Sequence, residues 1–154
     1  MSVEPGQPAP DFTMKTDGGG EVSLDSLRGR KIVLYFYPKD DTSGCTTEAK
    51  AFRDSIAAFE KANTVVIGVS PDSVASHDRF KAKHDLPFAL AFDAEHAVAA
   101  AYESWVEKNM YGRKYMGVDR STFLIDENGR IRAVWRKVKV PGHVDEVLAA
   151  ARKD

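Results

Sequence analysis

Continuous apolar runs, rather than alternating ones, mark the middle of the chain. Ile32-Val33-Leu34-Tyr35-Phe36-Tyr37 is unbroken and short, the pattern of a strand buried on both faces. Pro38 cannot donate to a ladder and closes that strand. Lys39 to Gly44 is turn chemistry, with Thr42 or Ser43 as the helix N-cap. Beyond it Cys45, Ala49, Phe52, Ile56 and Phe59 recur at spacings of four and three, which predicts one helix with a single apolar face running to Phe59. Thr64 to Val69 is a second buried-type strand, so the three pieces form a βαβ unit with an expected right-handed crossover. Ser73 then opens a helix to His84, with Val74, His77, Phe80 and Lys81 on a poorly apolar side. Leu86 to Leu90 is a short strand with proline near its start, and Asp93 caps a helix striped by Val98, Ala101, Tyr102 and Trp105.

The flanks are more irregular. Pro5, Pro8 and Pro10 make Val3 to Asp11 an extended arm. Asp17-Gly18-Gly19-Gly20 separates Phe12–Lys15 from Glu21–Leu24, a small hairpin; no Gly-Lys-Ser/Thr follows, so these glycines are a turn and not a phosphate loop. Asp25 to Gly29 reads as one helical turn ended by glycine. Lys108 to Asp119 reads as a loop whose Tyr111, Tyr115 and Met116 either pack or rim a partner site. Arg120 opens a strand over Ser121–Ile125, and Asn128-Gly129 turns it back along Ile131–Trp135. Pro141-Gly142 precedes a last helix with Val144, Val147, Leu148 and Ala151 on one face. This order predicts an α/β protein of the thioredoxin type: a mixed central sheet with helices on both faces and an N-terminal β-hairpin.

At 154 residues the expectation is a single domain over 1–154 with a core that needs neither disulfides nor metal. Lys and Arg number 22 against 23 Asp and Glu, so no basic surface suggests nucleic acid. No apolar run is long enough to span a bilayer, and Met1-Ser2-Val3-Glu4-Pro5 lacks the features of a signal peptide; a soluble, cytoplasmic protein with no membrane partner is expected. The single cysteine excludes an intrachain disulfide and fits a reducing compartment.

That cysteine is the candidate for chemistry. Cys45 falls in the first turn of a helix fed by a buried strand, where unpaired N–H groups and the dipole favour a thiolate. The plainer reading is a small hydrophobe on an apolar face, and periodicity alone leaves the two side by side. Cys45-Thr46-Thr47-Glu48 is not a Cys-x-x-Cys pair, and Ala51 stands where a cysteine phosphatase needs arginine. The four histidines have no zinc-site spacing, and each reads as a surface or packing residue. Thr42 reads locally as a cap, Arg120 as a surface residue at a strand start, and Pro38 as a strand end.

Pro38-Lys39-Asp40-Asp41-Thr42-Ser43-Gly44-Cys45 resembles the Pro-x-x-x-Thr-x-x-Cys signature of the peroxiredoxins, most closely their bacterioferritin-comigratory-protein/peroxiredoxin Q branch. The likeness extends to Gly6–Phe12, Val33–Pro38 and Gly117–Asp126. It implies a thioredoxin-like fold and reduction of hydrogen peroxide and organic hydroperoxides through a sulfenic acid on Cys45. It also implies that Thr42 and Arg120 bind and polarise the peroxide, that the Gly44 and Cys45 backbone assists, and that Pro38 shields the sulfur. An ordinary thiol of pKa ~8.5 is about 3% ionised at pH 7, so full ionisation gains only about thirtyfold. Donors aimed at the leaving oxygen must supply the rest.

This sequence departs from many of that branch in lacking a resolving cysteine; Lys50 and Lys81 stand at the two places where one is found. The resemblance is thus to one-Cys members. It implies an external reductant (thioredoxin, glutaredoxin or glutathione), no cofactor, and a monomer, with a dimer as the alternative. A peroxide sensor or redox relay on the same scaffold is the rival reading, and a structural domain with inert Cys45 the third.

Overall fold

The computed structural model describes residues 3–153. Met1 and Ser2, on which part of the leader expectation falls, lie outside the described residues, as does Asp154. Seven strands make one mixed sheet. In chain order they are β1 (Thr13–Thr16), β2 (Glu21–Ser23), β3 (Lys31–Phe36), β4 (Thr64–Ser70), β5 (Ala89–Phe92), β8 (Ser121–Ile125) and β9 (Ile131–Trp135), arranged as β2-β1-β5-β4-β3-β8-β9. β6 (Trp105–Met110) and β7 (Arg113–Val118) form a separate two-stranded ribbon. The central β3 runs parallel to β4 and antiparallel to β8, so both of its edges are covered.

Alternation along β3 splits the core into two layers, because successive side chains of a strand point to opposite faces. Val33, Tyr35 and Tyr37 pack under α1 (Ser43–Asp54), α2 (Ile56–Lys61), α3 (Val74–His84) and α5 (His143–Arg152), meeting Phe52, Phe59, Phe80 and Val147. Ile32, Leu34 and Phe36 face the other way, towards the N-terminal arm and α4 (Ala97–Ala101), with Phe12, Ala99 and Tyr102. The arm is stitched to the β8–β9 turn, where Ala9 N–H donates to the Gly129 carbonyl at 2.9 Å. Gly129 itself has φ +81°, as the Asn-Gly turn requires. No helix among the described residues is long and apolar enough to cross a membrane.

Four expectations need correction. The helix predicted through Phe59 breaks at Ser55, whose N–H donates to Phe52 O while its own carbonyl starts α2. The break keeps Phe59 in the core, its ring centroid 5.9 Å from that of Phe52. The strand expected from Leu86 begins at Ala89: Asp85 caps α3 in the left-handed region at φ +53°, and Leu86 and Phe88 turn inward as buried plugs. The helix striped to Trp105 ends at Ala101; Trp105 opens β6 and stacks on His96 at 3.5 Å. Finally, Lys108 to Asp119 is not a loop but most of the β6–β7 ribbon, turning at Tyr111-Gly112 with φ +54° and +78°. Two positive φ values in a two-residue turn match the twist of a hairpin, and Tyr-Gly is an unusual pair to supply them. Tyr111, Tyr115 and Met116 are exposed there, so the packing reading fails for them, and Met110 is exposed beside them.

Candidate active site

The carboxyl end of β3 and the start of β8 lie side by side, because Phe36 pairs with Ser121. This register brings Arg120, 75 residues from Cys45 in sequence, over the first turn of α1. Its Nη2 donates to Cys45 Sγ at 3.2 Å, and its Nη1 to Glu48 Oε1 at 2.6 Å. The Arg120 carbonyl accepts from Val138 N–H at 2.9 Å, which fixes the base of the side chain. Cys45 is only 1% exposed, walled by apolar residues on one side and by the guanidinium on the other. The sulfur is therefore neither in open solvent nor in pure hydrocarbon.

Glu48 lies one helical turn beyond Cys45, on the same face of α1. It is fully buried, and its Oε2 has no partner among the described residues. Burial pushes its carboxyl up to about 7, against the opposing pull of Arg120. Burial works against the guanidinium charge in turn, but Glu48 and Cys45 outweigh it and hold Arg120 ionised. Tyr35 reaches the same region from β3; burial first, then Glu48, raises its phenol, and its hydroxyl also has no partner among the described residues. On the far side His143 Nε2 and Thr122 Oγ1 are 2.8 Å apart. Burial and then Arg120 lower the His143 imidazole to about 4, so at neutral pH it is uncharged and meets the threonine hydroxyl as a neutral ring.

Of the predicted residues, Cys45 and Arg120 are in direct contact. Gly44 adjoins them: a Cβ there would lie 3.3 Å from Arg120 Nη2, so the absent side chain makes room for the guanidinium. Pro38 is half-buried where β3 ends. Thr42 occupies the N-cap position with extended geometry but does not cap α1; its exposed hydroxyl donates to Lys39 O at 2.8 Å. Having given its one proton to that carbonyl, it faces any ligand as an acceptor. Lys50 is exposed on α1, and Lys81 is ion-paired with Asp17 at 2.7 Å.

Sequence reading missed Glu48, Tyr35 and His143. Only Glu48 had a usable signal, its spacing from Cys45 on one helix face. His77 and His143 are buried and hydrogen-bonded, so the surface reading fails for both.

Residues 5–134 match the AhpC/TSA family. The chain belongs to that family, in its Bcp/peroxiredoxin Q branch. It is 56% identical over 148 residues to the putative peroxiredoxin bcp of Coxiella burnetii, covering 96% of this chain and 98% of that one. To the peroxiredoxin Bcp of Bacillus subtilis it is 55% identical, covering 96% and 94%. Peroxiredoxin Q of Xanthomonas campestris superposes with a TM-score of 0.88 at 45% identity, over 92% of this chain and 89% of that one. A second structure from that organism, also at TM-score 0.88 with 45% identity and covering 92% and 90%, is a trapped intermediate/ligand complex bearing on alkyl peroxide reduction by its bacterioferritin comigratory protein. The thioredoxin-like fold of these peroxiredoxins is thus the fold of this chain.

Proposed function

We propose that this peroxiredoxin reduces hydrogen peroxide and organic hydroperoxides with Cys45 and is returned to the thiol by an external reductant. The observation that carries this reading is the Arg120 guanidinium 3.2 Å from Sγ. A permanently charged planar donor at that distance stabilises a thiolate and can also reach oxygen bound against it. The Cys45 thiolate attacks the terminal oxygen of ROOH and the O–O bond breaks. The terminal oxygen stays on sulfur with its hydrogen as the sulfenic acid, and RO⁻ leaves, taking from solvent the proton that the Cys45 thiol gave up on ionising and so becoming ROH. Thr42, as an acceptor, takes the O–H of the peroxide. Glu48 holds the second guanidinium nitrogen and so keeps the first aimed at sulfur. The backbone N–H groups of Gly44 and Cys45 meet the oxygens, and Pro38 limits water at the sulfur.

With no second cysteine in the chain, one thiol must condense with the sulfenic acid, releasing water and forming a mixed disulfide; a second thiol then frees Cys45. Thioredoxin, glutaredoxin and glutathione are the candidate reductants, and no cofactor is needed. The recessed sulfur disfavours a Cys45–Cys45 link between two chains, which fits a monomer. The lone reduced cysteine fits a cytoplasmic setting. The test is steady-state peroxide consumption with each thiol system supplied separately. Many turnovers per chain are expected, with a mixed disulfide on Cys45 by mass spectrometry; consumption that stops after one equivalent with every reductant would refute the enzyme.

A further inference from the structure

The loop between β3 and α1 carries Pro38 and Thr42, and turn chemistry alone would form it. The structure adds a buried polar cluster around its middle. The Asp40 side chain is 4% exposed. Its Oδ1 accepts from Tyr37 OH at 2.6 Å, and its Oδ2 accepts from Ser76 Oγ at 2.8 Å and His77 Nδ1 at 2.7 Å. His77 Nε2 faces the Ala91 carbonyl at 3.0 Å, so each ring nitrogen has an oxygen partner. The Asp40 N–H donates to Asp72 Oδ2 at 2.7 Å, which also accepts from Ser70 Oγ at 2.7 Å. Asp41 is next, in the left-handed region at φ +59°, its carboxylate taken by Lys83 at 2.7 Å and His84 at 3.2 Å.

Ser76, His77, Lys83 and His84 all belong to α3. This one helix therefore grips two successive loop residues, one by a buried pair and one by an exposed pair. Burying a carboxylate and an imidazole is costly unless every polar atom finds a partner, and here each does. None of the gripping side chains has a hydrogen bond to Cys45 or Arg120. Their effect on chemistry must pass through the loop, and Thr42 lies two residues from Asp40.

We propose that Asp40 is a positioning residue: held by Tyr37, Ser76 and His77, it fixes Thr42 and the entry to α1 where a peroxide must be seated, with α3 as the clamp. This rests on the peroxide-reducing role of Cys45 and acts on one half of it. The clamp aims the oxygen acceptor, whereas Arg120 and Glu48 independently aim the charge at sulfur.

The experiment compares two reactions of the same thiol. Iodoacetamide alkylation needs the thiolate but no seat for an O–O bond; peroxide reduction needs both. Asp40→Asn and His77→Gln are expected to lower the second-order rate with peroxide by about ten- to a hundredfold, the scale of a misplacement near 1 Å, with alkylation within about twofold of the unaltered protein. The double variant should be no worse than the weaker single, since both break one clamp. Tyr37→Phe and Ser76→Ala, each removing a single donor, give smaller losses of the same kind and serve if the ionic variants fold poorly. Equal losses in both reactions, or unchanged peroxide rates, overturn the clamp. An unaltered protein that alkylates but consumes no peroxide overturns the Cys45 role itself, and the clamp with it.

Discussion

Two segments lead into the site from opposite sides, and they are built in opposite ways. The loop from Pro38 to Thr42 leads to Cys45, and the carboxylates of Asp40 and Asp41 at its centre are held by α3 and by Tyr37 just beyond β3. The β6–β7 ribbon leads to Arg120, and beyond its root it pairs with no other strand among the described residues. Its tip residue Tyr111 is fully exposed, at 101%. Yet Arg120 is as well placed as Cys45. The difference is where each fixing contact sits. Cys45 takes its place from the loop before it and from α1, which carries it. Arg120 is instead placed by groups on its far side, β8 and Val138, and by the two it faces, Glu48 and the sulfur. The ribbon's hold ends at its base, where Ser104 and Ser121 hydroxyls lie 2.6 Å apart and Asp119 N–H donates to Ser104 O at 2.7 Å.

The largest effect should come from the contact the two sides share. Arg120→Met keeps the length and apolar stem but removes the donor at sulfur. The second-order rate with peroxide is expected to fall by roughly a hundred- to a thousandfold, the usual loss for a donor aimed at developing charge. Stopped-flow peroxide kinetics measure it directly. A loss under tenfold would mean that the thiol, and not the cation facing it, dominates the chemistry.

Glu48 separates stability from activity on the Cys45 side. Its carboxyl is pushed up to about 7 from an ordinary 4.5 by burial. The folded chain therefore holds a proton that the unfolded chain has lost between those two values. Stability attributable to Glu48 is present below about pH 4.5 and lost as pH rises through 7. The loss is on the order of 3 kcal/mol at most. Urea unfolding at pH 5 and pH 8 should show the native protein losing more stability with rising pH than Glu48→Gln, which has no proton to lose. Equal slopes would contradict the burial-driven shift.

Gly44→Ala is a smaller intervention on the same contact. The added Cβ would sit 3.3 Å from Arg120 Nη2, close enough to require a shift of a few tenths of an ångström. A loss of about tenfold in peroxide rate, with little change in melting temperature, is expected from such a displacement.

The same division governs how much was legible in the sequence. Ile32–Tyr37 and Ser121–Ile125 are buried on both faces, so each residue carries the signal. The Asn128-Gly129 turn states its own geometry. The ribbon left no such mark: Glu107, Lys108 and Asn109 bury no common face, and Tyr111 takes a conformation more usual for Asn or Gly. Within the site, Cys45 and Arg120 were found through a family signature rather than through periodicity. The partners that hold them were hidden because each contact closes a long loop: Glu48 and Arg120 are 72 residues apart, Asp40 and His77 are 37. No local pattern encodes such a pair. His77 looked like a weak position on a poorly apolar helix because what it buries against is a carboxylate.

The smallest effect should be at the ribbon tip, and it is the sharpest check on the contrast. If Arg120 is placed by contacts beyond the ribbon, altering the tip should leave it untouched. Tyr111→Ser removes an exposed ring without disturbing a packed neighbour, and Met110 beside it is itself 55% exposed. Surface changes of this kind usually alter stability by less than about 0.5 kcal/mol. The expected result is an unchanged unfolding midpoint together with an unchanged peroxide rate, within about twofold. A fall in rate at constant stability would instead mean that the tip reaches the reacting groups, and that the second approach to the site is held as firmly as the first.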